Sequence, residues 1–554
     1  MVTITNPVIA GMAPDPSIIR VEDDYYIATS TFHWTPGVQL FHSRDLNTWQ
    51  LIGYPLDSKK INLMGTDTPA GVWAPHLSYD KKRKEFWIAY SHMVNMSGRE
   101  FNAESYAIHS KNINGPWSEP IYLTSIGFDP AIFHDEDGKS YVSILEWESR
   151  PNHQAPGHIV ISEFDISNGK QLSEWHRVTQ GFTTRGAAEA PQLYKHNNYY
   201  YLLIAAGGTG YAHGVEIGRS KSIFGPYEPH PSMEPIVTSS PKHLFSLGDP
   251  DAGQFQMFNP KSKIQKSGHG SLVETQTGEW YLAHLMARPL PETQLNPLGR
   301  ETGIQKMKWT SDDWLEMFDG SNLAKVSVPG LSHVSLMKQQ NDLTFNFDNN
   351  TIPQEFMTPY HFQDESWVTI NKDSQNLRIY GGNSLYSKNK PNILATRATS
   401  FDYEIKTAIK FNPLHYSQSA GVGLYYDSNN WIYFNLFWSE EENRRKIRIS
   451  QSKLGDRIQH NYVEFSVDTE TIDLKVTYNI GKVSAYFKSK GKETFQTIQE
   501  NIDVSYLSDE GVNGTPGEIG GFTGLFNFIG AVDSLQHKSF ADFEYYNVST
   551  EENE

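Results

Sequence analysis

Three acidic side chains stand at matching places in related segments: Asp15 in Ala13-Pro14-Asp15-Pro16-Ser17-Ile18, Asp129 in Gly127-Phe128-Asp129-Pro130-Ala131-Ile132, and Glu189 in Ala187-Ala188-Glu189-Ala190-Pro191-Gln192. Each lies next to or near a proline that opens a short apolar strand, where a carboxylate can be held at the strand's mouth. Two carboxyl groups facing each other across a cleft are the minimal machinery for hydrolysing an acetal such as a glycosidic bond. One, neutral, protonates the leaving oxygen, and the other, ionised, activates water or attacks. Ala187, Ala188, Ala190 and Pro191 surround Glu189 with apolar groups that favour its neutral form, which suits a general acid. Asp15 is then the base that deprotonates water. Asp129 is the third carboxylate, whose charge keeps Glu189 protonated and whose hydrogen bonding orients it. An Asp before Pro also starts ordinary turns, so the weight rests on the three acids falling at one edge of related segments, Asp15 and Asp129 at the same position and Glu189 one residue before it.

That position is defined by a repeat. A small or acidic residue, a short apolar strand, a polar turn and an aromatic-rich strand recur as Asp15-Pro16-Ser17-Ile18 with Tyr25-Tyr26-Ile27-Ala28, and as Ala74-Pro75-His76-Leu77 with Phe86-Trp87-Ile88-Ala89. The pattern returns at Asp129, at Ala190, and at His269-Gly270-Ser271-Leu272 with Trp280-Tyr281-Leu282-Ala283. Turns such as Asp135-Glu136-Asp137-Gly138 between these strands indicate hairpins, not helices. A unit of roughly 55 to 80 residues carrying about four strands is what a β-propeller blade needs. Five copies predict a five-bladed β-propeller over residues 1–320. In such a ring the innermost strands line one channel, so residues 15, 129, 189 and 269 converge.

A Gly-, Ser- and Pro-containing stretch at 321–342 is expected to be a linker. Beyond it, strands such as Tyr403-Glu404-Ile405-Lys406-Thr407 and Trp431-Ile432-Tyr433-Phe434 alternate at period two, predicting a jelly-roll, lectin-like β-sandwich over 343–554. The whole is thus all-β. A formal charge of −17 excludes the basic footprint that nucleic acid or an anionic membrane requires. The absence of cysteine removes disulfides, thiolate metal sites and Cys nucleophiles. With no signal-like N-terminus and no transmembrane-length apolar run, a cytoplasmic protein is expected. The Gly207 to Gly214 run lacks the spacing and following helix of a nucleotide loop.

Six motifs together carry a resemblance: Pro14-Asp15-Pro16-Ser17, Gly71-Val72-Trp73-Ala74-Pro75, Phe128-Asp129-Pro130, Glu189-Ala190-Pro191, Gly268-His269-Gly270-Ser271 and Leu298-Gly299-Arg300-Glu301-Thr302. With them the chain resembles glycoside hydrolase family 43, and within it the two-domain β-xylosidases, over nearly its whole length. The resemblance implies inversion at the anomeric carbon, with base, tuner and acid at Asp15, Asp129 and Glu189. It also implies hydrophobic walls at Phe32 and Trp73, hydroxyl recognition by Arg300, and His269 at the pocket floor, facing a cation-filled channel in some relatives. In similar enzymes a sandwich loop enters the pocket, and the matching residue here is Phe526. Trp73 and Phe526 read equally well as core aromatics, and the bland alternative for Arg300 is a surface salt bridge. One departure is Ala206, where many relatives carry Glu; it bears on substrate preference, not on the reaction.

The expected activity is removal of single D-xylose units from the non-reducing end of short β-1,4-xylo-oligosaccharides, with an α-L-arabinofuranosidase or arabinanase as the nearest alternative. A non-catalytic carbohydrate-binding propeller is the rival of another class. Expected partners are a small xylo-oligosaccharide, with no nucleic acid and no membrane. The sequence leaves a homo-oligomer open. No cofactor and no metal ligand set is expected, beyond a structural cation near His269.

Overall fold

The computed structural model describes residues 2–550 except 97–98, 154, 241–256, 332–341, 350, 372, 461–464, 467–468 and 514–519. The described residues form strands and connecting loops in two bodies. In the first, five small antiparallel sheets follow one another along the chain. Blade I comprises Ser17–Val21, Asp24–Thr29, Gln39–Ser43 and Gln50–Gly53. Blade II runs from Gly71–Asp80 to Ile121–Thr124, blade III starts at Gly127–His134, blade IV at Glu189–His196 and blade V at Gln265–Glu274. The protein is the five-bladed β-propeller that the repeat predicts.

Adjacent blades are tied by side-chain to backbone hydrogen bonds at every junction. The Leu77 amide donates to Ser17 Oγ (2.9 Å) and the Ile132 amide to His76 Nδ1 (3.3 Å). Ser143 Oγ donates to the Pro191 carbonyl (3.1 Å), the Leu272 amide to Tyr194 Oη (2.8 Å) and the Ile18 amide to Ser271 Oγ (3.0 Å). Ser17, His76 and Ser271 each lie two residues after the repeat position. Side chains at equivalent positions therefore satisfy backbone groups that flat strands would leave unpaired. The ring closes where Ile18, Tyr25 and Ile27 of blade I pack with Val273, Tyr281 and Ile304 of blade V.

Residues 321–331 differ from the linker expected there. Ser327–Pro329 pairs antiparallel with Thr3–Thr5, and Val328 and Leu331 pack with Ile4 and Val8, so the stretch belongs to the propeller. Three strand residues ending in Pro-Gly offer no periodicity to read, and their partner edge is more than 300 residues away in sequence. The remainder of the expected linker, 332–341, lies outside the described residues.

The second body is a sandwich of an eight-stranded and a seven-stranded antiparallel sheet. Alternating residues such as Ile405, Ile409, Val422, Leu424, Ile432 and Leu474 fill one core between the sheets. It docks on the propeller through Trp34–Thr35 paired with Thr358–Pro359, and through the Trp34 ring stacked on Phe526 at 3.7 Å. A second contact is closer still. Gly299 has φ +70°, and a Cβ there would lie 1.6 Å from the Thr523 carbonyl oxygen, so only glycine lets the two loops meet.

Candidate active site

The five repeat positions share an unusual backbone. Asp15, Ala74, Asp129, Ala190 and His269 have φ of 56°, 41°, 59°, 49° and 48°, in the left-handed region. Four of the innermost strands shift register there, between Trp73 and His76, Phe128 and Ala131, Glu189 and Gln192, and Gly268 and Ser271. A left-handed non-glycine residue costs about 1–3 kcal/mol, and such strain clusters where side chains must be aimed. Here the left-handed backbone brings Asp15, Asp129, Glu189 and His269 within electrostatic reach of one another.

Asp15 is anchored on both sides. Its Oδ2 accepts a hydrogen bond from Ser30 Oγ (2.6 Å), which itself accepts from the Ala74 amide (2.7 Å), and its Oδ1 faces His269 Nδ1 at 3.4 Å. Burial holds His269 below the usual histidine range, with Asp15 opposing and the Arg300 charge reinforcing that effect. Its ring is therefore neutral at pH 7, and the pair is a polar contact between a carboxylate and an uncharged imidazole.

Asp129 and Glu189 are an electrostatic pair. Burial, then the charges of Glu189 and Asp15, push the Asp129 carboxyl well above its ordinary range, against a hydrogen bond from the Ala190 amide. Glu189 is pushed up to about 7, first by burial and then by the Asp15 charge, with Arg300 pulling it back. The desolvation expected from the alanines and proline around Glu189 is thus its main cause. Asp129 and Glu189 act on each other: the charge of either disfavours ionisation of the other, and the Asp15 charge adds to both. Among the described residues the Glu189 carboxylate has no hydrogen-bond partner, so it is free to meet a ligand.

Aromatic rings wall the space. Phe32 and Trp73 are buried, meet at 6.1 Å centroid distance, and are fixed by the pairing of Phe32 with Val72 and by a hydrogen bond from Trp73 Nε1 to the Pro69 carbonyl (2.9 Å). Arg300, 1% exposed, donates from Nη2 to Thr209 Oγ1 (2.7 Å), close to the Ala206 departure. Of the expected residues, Phe526 alone lies elsewhere. It is fully buried, begins a sandwich strand and stacks on Trp34 as part of the domain junction.

The sandwich residue that does reach the site is Phe522. Its ring lies 6.3 Å from Phe32 and 6.1 Å from Trp73, and the Arg300 guanidinium sits 4.0 Å over its face. A signal for it was present in Gly520-Gly521-Phe522-Thr523-Gly524: an aromatic among glycines belongs to a loop, whereas Phe526-Asn527-Phe528-Ile529 alternates as a strand. Also missed were Ser30, which no motif marks, and Phe128, whose ring meets Trp73 edge-on at 5.5 Å. Among the described residues no group of three His, Asp or Glu is arranged to hold a metal ion.

Comparison with known proteins bears on this arrangement. The family model for glycosyl hydrolases family 43 matches residues 4–315, and that for the β-xylosidase C-terminal concanavalin A-like domain matches residues 344–549. The chain is 35% identical to a β-xylosidase of Bacillus subtilis, covering 98% of this chain and 99% of that one. It is 34% identical to a xylosidase/arabinosidase of Humicola insolens, covering 99% and 97%. The crystal structure of a xylan β-1,4-xylosidase from Bacillus halodurans superposes with a TM-score of 0.91 at 36% identity, over 99% of this chain and 100% of that one.

Proposed function

The chain belongs to glycosyl hydrolase family 43 and is a glycoside hydrolase; from that premise we propose an inverting exo-β-xylosidase that releases D-xylose from the non-reducing end of β-1,4-xylo-oligosaccharides. Glu189 is the general acid, Asp15 the base that deprotonates the attacking water, and Asp129 the modulator. The observation that carries the assignment is the asymmetry between Asp15 and Glu189. Asp15 is held by Ser30 as a hydrogen-bonded carboxylate, while Glu189 has no hydrogen bond within the described residues and sits near 7. A base must be ionised and oriented, and an acid must carry its proton into the ligand pocket.

Asp129 shares the pocket's proton balance with Glu189. Its own reluctance to ionise means that the pair keeps at least one proton at neutral pH, and its place beside the Ala190 amide fixes the backbone that carries Glu189. Phe32, Trp73 and Phe522 suit the apolar faces of a pentose, and Arg300 supplies N–H donors for sugar hydroxyl oxygens.

The test is the anomer released first. Proton NMR during the opening minutes of xylobiose or xylotriose hydrolysis is expected to show α-D-xylose ahead of its mutarotation equilibrium; β-D-xylose first would mean retention and remove Asp15 from its role as base. Action on α-L-arabinofuranosides is the second reading, supported by the Humicola insolens relative's name. The ratio of turnover on nitrophenyl β-D-xyloside and α-L-arabinofuranoside separates the two.

A further inference from the structure

Behind the pocket lies a buried ionic cluster that joins the two domains. Asp509, in the sandwich and 0% exposed, holds Lys266 Nζ of blade V at 2.6 Å on Oδ2, and the same oxygen faces Arg300 Nε at 3.6 Å. Its Oδ1 accepts from the Phe522 amide at 2.7 Å and from Tyr426 Oη at 3.4 Å. The neighbouring Glu510 takes the other side of Lys266 Nζ (2.6 Å) and both the amide and the side chain of Asn296 (2.8 Å each). The cluster is thus charge-balanced, with Lys266 and Arg300 against Asp509 and Glu510. Burial would raise the Asp509 carboxyl, but Lys266 and Arg300 more than offset this and hold it below its ordinary range, so it is a carboxylate.

A buried ion pair of this kind contributes little net stability compared with an apolar filling of the same shape, because desolvation consumes most of the Coulomb gain. What it fixes is geometry. The Arg300 guanidinium has two firm neighbours besides Asp509: Thr209 at Nη2 and the Phe522 face beneath it. Its Nε is buried with no hydrogen bond, and the carboxylate in ion-pair contact with it is Asp509. Lys266 sits three residues before His269 on the same strand. One sandwich side chain therefore touches the residue that aims toward the sugar, the backbone of the ring that walls it, and the strand that carries the floor.

We propose that Asp509 is a positioning residue for the hydrolysis: it orients the Arg300 guanidinium, directly through its carboxylate and indirectly through the Phe522 ring on which that guanidinium rests. This rests on the reading of Arg300 as a group that meets the substrate.

The experiment is a double-mutant cycle in the full-length chain, with kcat and KM on nitrophenyl β-D-xyloside and Tm for each protein. Asp509→Asn is expected to lose about 10²-fold in kcat/KM, the cost of displacing a positioned group by about 1 Å. Arg300→Gln should lose at least as much, in the same kinetic parameter. The double variant should be no worse than Arg300→Gln, because the first change acts through the second. Because Asp509→Asn leaves Lys266 on Glu510 alone, Lys266→Met/Asp509→Asn removes one charge of each sign, guards against simple misfolding, and should show the same loss. A folded Asp509→Asn or Lys266→Met/Asp509→Asn protein with wild-type kcat/KM overturns the proposal, as do losses that multiply in the cycle. An Arg300→Gln protein with full activity would instead overturn the reading of Arg300.

Discussion

Glu189→Gln should make the protein more stable at pH 8 while removing its activity on xylobiose. Glu189 has an ordinary pKa of 4.5 and is pushed up to about 7 in the fold, mainly by burial and then by Asp15. The folded state therefore holds this proton more tightly than the unfolded chain. The contribution to stability is complete at low pH and is lost as pH rises from about 4.5 through about 7. At about 1.4 kcal/mol per pKa unit the full loss is about 3 kcal/mol at pH 8, and under about 1 kcal/mol at pH 5. Glutamine fills the same space without the buried charge and escapes the loss. With unfolding entropy of ~2.1 cal/mol/K per residue over the propeller, the gain corresponds to a Tm higher by about 4 °C at pH 8 and by about 1 °C at pH 5. Differential scanning calorimetry of wild type and variant at both pH values measures this. Equal Tm values at pH 8, or a variant that is less stable there, would refute the claim that Glu189 is ionised at a cost in a desolvated pocket.

Other outcomes follow from the same geometry. The alkaline limb of wild-type kcat/KM should fall with an apparent pKa near 7, where Glu189 loses its proton; a rate flat from pH 6 to 9 would exclude it as the acid. Asp15→Asn should keep its fold and bind xylobiose by calorimetry, yet turn over about 10²–10⁴-fold more slowly; a protein that fails to fold would make Asp15 structural. Phe522→Ala should raise KM with little change in Tm, whereas Phe526→Ala should cost about 3–5 kcal/mol of stability with its kcat retained. Gly299→Ala, at φ +70° and against the Thr523 carbonyl, should push the Phe522 loop away and weaken substrate binding; unchanged KM would show that the loop contact is dispensable.

Much of this architecture was legible because blades repeat. The alignment of residues 15, 74, 129, 190 and 269 needs only local pattern, and the structure gives all five the same left-handed backbone. Even the ties between blades fall in that register, at Ser17, His76 and Ser271. What pattern does not carry is contact between unlike parts. Asp509 meets Lys266 across 243 residues, and no periodicity links a sandwich turn to a propeller strand. The choice of Phe526 over Phe522 failed for a related reason: a strand residue can be counted from its neighbours, while a glycine-flanked aromatic must be placed by the partner loop at Gly299. The pairing of Ser327–Pro329 with Thr3–Thr5 was hidden in the same way. The proton balance was partly legible, since apolar neighbours of Glu189 foretell its desolvation. How the three acids share their protons depended on geometry.

The central claim is that Glu189 delivers a proton to the leaving oxygen, and leaving-group dependence in Glu189→Gln measures this most directly. Dinitrophenolate departs without protonation, so the variant should hydrolyse 2,4-dinitrophenyl β-D-xyloside within about tenfold of wild type while losing about 10²–10⁴-fold on xylobiose. Equal losses on both substrates, or full activity on xylobiose, would contradict it.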